Sequence, residues 1–185
     1  MRAQRVCPWW LGYLLASPLR RMFYDQAGLV APYVHEGMTV IEPGPGMGFF
    51  TLELARLVGP SGRVVAVDIQ PRMLEVLKRR AAKAGLGERI DARLARPDSM
   101  GLADWDWADF VLAFAVVHEM PSASSFFSEA AQALKPGGCL LLAEPTGHVK
   151  PAQFEEELKT AAQAALSLVD RPSIRRSHAA LLKKG

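Results

Sequence analysis

Glycines at positions 44, 46 and 48 alternate behind an acid in the stretch Val40-Ile41-Glu42-Pro43-Gly44-Pro45-Gly46-Met47-Gly48. Phe49, Phe50 and a helical pattern follow at once. A buried strand that turns sharply into a helix reads this way. Without Cβ atoms at these points the backbone can curl tightly and approach a ligand. The open amides at the start of the next helix suit a carboxylate or phosphate. The loop therefore predicts a small charged cofactor. Other residues able to do chemistry stand where apolar runs end. Asp68 closes the run Val64–Val67, and His118 and Glu119 follow the run Phe110–Phe114. Glu144 and His148 lie beyond Cys139–Ala143, and Asp98 and Ser99 follow Pro97. A histidine has an unperturbed pKa near neutrality, so it can deprotonate or orient a substrate.

These residues need strands and helices to position them, and from residue 38 onward the two signals alternate. Met38–Ile41 reads as a strand, then Phe49–Val58 as a helix with Phe50, Leu54 and Leu57 at helical spacing. Val64–Val67 is a second strand, ending at Asp68. A helix begins at Pro71, a residue suited to the first helical turn, and stops at Gly85. Ile90–Ala95 is a weaker strand and Phe110–Phe114 a fourth. Ser122–Leu134 is a helix closed by Lys135-Pro136-Gly137-Gly138, and Cys139–Ala143 is the fifth strand. Pro151–Ala165 is a helix, and the tail Ser167–Leu182 reads as an antiparallel pair around Arg171-Pro172. Strands without polar alternation, separated by helices, imply a parallel sheet covered on both faces. The expected fold is doubly wound, Rossmann-like α/β. In such folds ligands bind at the carboxyl ends of strands.

Two cofactor classes compete for a glycine turn of this kind. The dinucleotide fingerprint needs a small third residue so that helix and strand pack closely. Counted from Gly44, that position is the bulky Phe49, which argues against NAD or FAD. The chain instead resembles the class I S-adenosylmethionine (SAM)-dependent methyltransferases, in particular their small-molecule branch, from about residue 30 to 145. Glu42 to Gly48 is similar to that family's first motif, and Val65 to Leu74 to its second-strand acid and helix. Pro97-Asp98-Ser99 falls at its adenine-binding acid, and Asp109–Met120 is similar to its fourth-strand segment. Leu134 to Gly138, the following strand and Glu144 match its fifth-strand entry. Five pieces in this order form a specific signal. The resemblance implies a seven-stranded, mostly parallel sheet in a three-layer α/β/α sandwich, closed by an antiparallel C-terminal hairpin. It also implies SAM as the cofactor, with S-adenosylhomocysteine as product.

The chemistry of SAM agrees with these positions. Gly44, Pro45, Gly46 and Gly48 can approach its methionine portion, and Glu42 can attract the ammonium. Asp68 can accept the ribose hydroxyls, and Ile69 and Met73 can pack on the adenine. Asp98 can accept from the adenine amino group, the Ser99 amide can meet a ring nitrogen, and Phe114 can offer backbone. Structural readings stand beside these. Asp68 can cap the next helix, Asp98 can be a turn acid, Glu42 can bond loop amides, and Met73 and Phe114 can be core.

His118 is the candidate catalytic residue, with Glu119, Glu144 and His148 as candidate pocket residues. The alternative for His118 is a ring that bonds its loop or packs over the cofactor. Trp9, Trp10 and Tyr13 can cover an apolar or aromatic acceptor or embrace a cation. They can equally pack on the core, a dimer partner or a membrane surface. Residues 1–35 are expected to form a helical lid on a single domain spanning 1–185. Cys7 could bind a soft substrate, but the several cysteines of the arsenite-methylating branch have no counterpart here.

The gross properties narrow the choice. The chain has 185 residues, half of them hydrophobic, and a net charge of +3. One domain with a three-layer core fits that length. The lysines and arginines are scattered, so no nucleic-acid surface stands out. Two distant cysteines make neither a disulfide framework nor a zinc site, so no metal is expected and a cytoplasmic setting is simplest. The apolar run from Cys7 to Ala16 is broken by Pro8 and Gly12 and is too short to span a bilayer. A small-molecule methyl acceptor is the leading expectation. A protein or RNA substrate, or a noncatalytic SAM-binding protein, are the alternatives. Oligomeric state is left open.

Overall fold

A computed structural model describes residues 25–96, 98–102 and 107–185. Seven strands form a mixed, mostly parallel sheet in the order β3-β2-β1-β4-β5-β7-β6, with helices around it. The described residues group into two compact units, one ending at Ala95 and one running from Arg96 to Gly185.

The first unit holds α1 (Gln26–Val30), β1 (Thr39–Pro43), α2 (Thr51–Leu57), β2 (Arg63–Asp68), α3 (Pro71–Lys83) and β3 (Ile90–Leu94). β1 pairs with β2 and β2 with β3, both parallel. A strand flanked on both sides by parallel neighbours is apolar throughout, and Val64 to Val67 are all buried. Proline at the first turn of α3 costs no helical hydrogen bond. Along that helix Met73, Leu74, Val76, Leu77 and Ala81 are buried at helical spacing. Leu74 and Leu77 pack against Ala66 of β2, with Ile90 and Ala92 of β3 beside them. The pairing is carried past both strand ends: the Gly44 amide donates to Val67 O at 2.9 Å, and the Ala95 amide donates to Asp68 O at 2.9 Å.

The second unit holds β4 (Ala108–Phe114), α4 (Ala123–Ala133), β5 (Leu134–Pro145), α5 (Pro151–Gln163), β6 (Leu166–Asp170) and β7 (Ser177–Lys184). β4 and β5 are parallel, whereas β7 runs antiparallel to both β5 and β6. Ser122 caps α4 by accepting the Ser125 amide at 3.1 Å. The turn expected at Lys135–Gly138 lies inside β5 rather than before it. Leu134 already pairs with Ala108, and pairing resumes at Cys139 with Phe110. The four residues between bulge outward, with Gly137 at φ +78° and Lys135 Nζ 2.7 Å from the Asp109 carboxylate. α5 ends at Gln163, two residues early. Ala165 takes a left-handed φ of +60° and turns the chain into β6.

Candidate functional site

The glycine loop sits at the carboxyl end of β1. All three of its glycines have positive φ: +65° at Gly44, +54° at Gly46 and +82° at Gly48. The last two differ in what surrounds them. Among the described residues a Cβ at Gly46 would meet nothing within 4 Å, whereas one at Gly48 would lie 2.4 Å from Leu77 Cδ1. Gly46 opens the loop to an incoming group; Gly48 lets the loop pack on α3. Two side chains tie the loop carbonyls. Arg80 of α3 donates to Met47 O, and the buried Gln26 of α1 donates to Phe49 O. Sequence reasoning missed both anchors, because they lie 33 and 23 residues from the carbonyls they hold. Pro45 is buried, and Met73 is buried against Met47 and Val76, so it supports the loop from α3.

Two acids flank this loop. The Asp68 carboxylate ends β2 and accepts the Gly46 amide at 3.2 Å and the Gln70 amide at 2.9 Å. One oxygen thus holds the turn before α3, whose N-cap is Gln70 without a side-chain cap bond, while the other reaches the loop. Ile69, beside it, is half-buried. Glu42 is buried, and its Oε2 finds no hydrogen-bond partner among the described residues. Burial pushes its carboxyl up to about 8; the nearby Thr51 hydroxyl, short of a full hydrogen bond, offsets part of this, and the Asp68 charge adds to it. An unpartnered buried acid beside an open glycine fits a ligand that carries a cation. The residues therefore suit the methionine end of SAM.

The second unit places the other candidates. Asp98 is exposed on a turn, and the backbones of Arg96 and Ser99 bond each other at 3.1 and 3.3 Å. The Ser99 amide is engaged there, and its hydroxyl accepts the Gly101 amide at 3.0 Å. Phe114 ends β4 half-buried, and Ala115 follows at φ +56°. That left-handed turn leads into a short 3-10 segment, Val117–Glu119, which carries His118.

His118 lies in a polar cluster. Its Nδ1 is hydrogen-bonded to Glu144 Oε2, and its Nε2 lies 3.3 Å from His148 Nδ1 and 4.0 Å from Glu119 Oε1. Glu144 is fully buried near the end of β5, and its Oε1 accepts the Val117 amide at 2.8 Å. Burial lowers the His118 pKa, but the hydrogen bond and charge of Glu144, with Glu119 and Glu157, outweigh it and leave it raised. Glu157 of α5 joins this cluster unforeseen. Burial and the Glu144 charge push it up to about 7 against the pull of His118 and Gln153, and its Oε2 has no partner among the described residues. Its sequence signal, an acid among apolar helix positions, resembles many solvated ones. Trp9, Trp10 and Tyr13 lie outside the described residues. Among the described residues no group of three or more His, Cys, Asp or Glu is arranged to hold a metal, and no helix is long and apolar enough to cross a membrane.

Comparison with known proteins adds four findings. A family model described as a methyltransferase domain matches residues 34–176. A ubiquinone/menaquinone biosynthesis C-methyltransferase from Hahella chejuensis is 30% identical over 125 residues, covering 68% of this chain and 48% of that protein. An arsenite methyltransferase from Aquipseudomonas alcaligenes is 34% identical over 145 residues, covering 74% of this chain and 42% of that protein. The chain thus spans about half the length of these curated relatives. Among solved structures, a SAM-dependent methyltransferase from Aquifex aeolicus has a TM-score of 0.86 at 21% identity, covering 97% of this chain and 100% of that one. That likeness shows the fold.

Proposed function

Because the chain belongs to the methyltransferase-domain family, we propose that it moves a methyl group from S-adenosylmethionine to a small-molecule acceptor by in-line displacement. One observation carries the donor half. Among the described residues, two buried acids, Glu42 and Asp68, flank a loop whose middle glycine faces open space, and one Glu42 oxygen has no partner. When bound, the sulfonium supplies an already activated methyl carbon. The protein then has to hold the donor, align the acceptor and exclude water.

Glu42 meets the donor's ammonium, which returns the carboxyl to its ionised form. Asp68, oriented by two amides, takes the ribose hydroxyls. Gly44, Pro45, Gly46 and Gly48 line the methionine portion, while Met73 supports the loop and Ile69 covers the adenine face. Asp98, Ser99 and Phe114 are the adenine-side candidates of the second unit. His118 is the candidate base, with Glu119, Glu144 and His148 toward the acceptor. The names of the two curated relatives support a small-molecule acceptor. We read residues 1–185 as one catalytic domain, residues 1–35 as its lid, and the cytoplasm as its setting.

Calorimetry with SAM, S-adenosylhomocysteine and NAD tests the donor assignment. The first two should bind and NAD should not. Asp68→Ala should weaken S-adenosylhomocysteine by about 30- to 100-fold, as expected for hydrogen bonds to a charged group. Binding of NAD alone would sink the reading.

A further inference from the structure

His118 and Glu144 are 26 residues apart in the chain, yet one carboxyl governs both the ring and its backbone. Glu144 Oε1 accepts the amide of Val117, the residue before His118, and Glu144 Oε2 meets the ring at Nδ1. A fully buried side chain held at both oxygens has one orientation. A carboxylate only accepts hydrogen bonds, so the ring proton belongs on Nδ1 and the lone pair on Nε2. Nε2 points to His148 Nδ1 at 3.3 Å, longer than the ~2.9–3.0 Å of a good N–H bond. His148 is exposed, so an acceptor can displace it.

We propose that Glu144 is a positioning residue that locks His118 as its Nδ1–H tautomer, making Nε2 the proton acceptor for a methyl acceptor with an ionisable hydroxyl. This rests on the methyltransferase reading. A neutral amine or a thioether can attack a sulfonium methyl with its lone pair, and a base adds little there. A hydroxyl oxygen must lose its proton as it attacks. The acceptor oxygen forms the new C–O bond with the methyl carbon of SAM while the C–S bond breaks and its electron pair stays on sulfur. The O–H proton moves to His118 Nε2, and Glu144 holds the resulting imidazolium at Nδ1. Once the methylated product leaves, His148 returns beside Nε2 and hands that proton on to water. The groups facing the imidazole are Glu144 on β5, Glu119 in the same turn, His148 in the loop after β5 and Glu157 on α5. The three acids favour the charged ring, so the base form is reached at a pH above that of an ordinary histidine.

The test is ¹⁵N NMR of His118 in the full chain, wild type and Glu144→Gln, with S-adenosylhomocysteine affinity as the control for folding. Wild type should show a protonated, exchange-protected Nδ1 and an unprotonated Nε2 above the ring's pKa. In Glu144→Gln the amide oxygen keeps the Val117 amide and the NH₂ faces Nδ1, which drives the proton to Nε2. The His118 pKa should fall by about one unit. Label transfer from methyl-labelled SAM to a cell-metabolite extract should rise with pH through the wild-type NMR value. It should drop at least tenfold in the variant, with its acidic limb moved to lower pH. An Nε2–H tautomer in wild type, a His118 pKa indifferent to Glu144→Gln, a pH profile that ignores that pKa, or no label despite bound S-adenosylhomocysteine would each overturn the proposal. If the variant does not fold, the wild-type tautomer and titration decide. If S-adenosylhomocysteine does not bind wild type, it is the methyltransferase reading that fails.

Discussion

Glu42 carries a proton near neutrality, since burial raises its carboxyl to about 8. A cation arriving at the oxygen that has no partner among the described residues favours the ionised form. Binding of S-adenosylhomocysteine should therefore release protons. Between pH 6 and 7.5, where the ligand's ammonium is charged, affinity should rise with pH. Calorimetry in two buffers of different ionisation enthalpy measures the release. Glu42→Gln should abolish it and weaken binding by about 10- to 100-fold, the worth of a charge-assisted hydrogen bond. The same substitution should raise the melting temperature at pH 8 by about 5 °C, because a buried acid forced to ionise destabilises the fold. A variant that binds unchanged would remove Glu42 from the site.

At the scale of elements, the strand–loop–helix passage from β1 to α2 uses two glycines for different ends. Gly46→Ala puts a Cβ into open space at φ +54°, so its cost is about 1 kcal/mol of backbone strain. Gly48→Ala combines φ +82° with a Cβ 2.4 Å from Leu77, and should cost about 2–3 kcal/mol. Chemical denaturation should separate them in that order. Binding of S-adenosylhomocysteine should reverse it, with Gly46→Ala folded but at least tenfold weaker. The loop itself was legible in the sequence, because strand, glycines and helix are contiguous. The bulge within β5 was not. Its residues read as a turn, and only pairing of Leu134 with Ala108 shows that the strand begins before it.

For the whole molecule, three groups act together on stability. Glu42 and Glu157 have raised carboxyl pKa values, and His118 has a raised imidazole pKa. In each the folded state holds more protons than the unfolded chain, Glu42 and Glu157 between about 4.5 and their raised values, His118 above 6.5. Stability must then fall as pH rises through that window. The thermal midpoint should be lower at pH 8 than at pH 6, and Glu42→Gln with Glu157→Gln should flatten the decline. A midpoint that climbs from pH 6 to 8 would contradict the raised pKa values of these three groups.

The alternation of apolar runs and helical spacings determined the α/β fold, and the order of Glu42, the glycines and Asp68 determined the glycine loop and the two acids beside it. Both follow from local rules: a parallel strand is apolar on two faces, and a tight turn needs glycine where φ is positive. Proton placement belonged to the tertiary structure alone. His118 and Glu144 follow separate apolar runs in the sequence, His148 lies in the loop after the second run, and Glu157 lies within a helix. They become one cluster only when β4 and β5 lie side by side and α5 packs nearby. Burial and the Glu144 charge then raise Glu157 to about 7, and the Glu144 hydrogen bond pins the His118 imidazole by one nitrogen. Desolvation and hydrogen-bond geometry are properties of the folded surroundings, so residue type and spacing could name His118, Glu144 and His148 but neither Glu157 nor the protonation of the cluster.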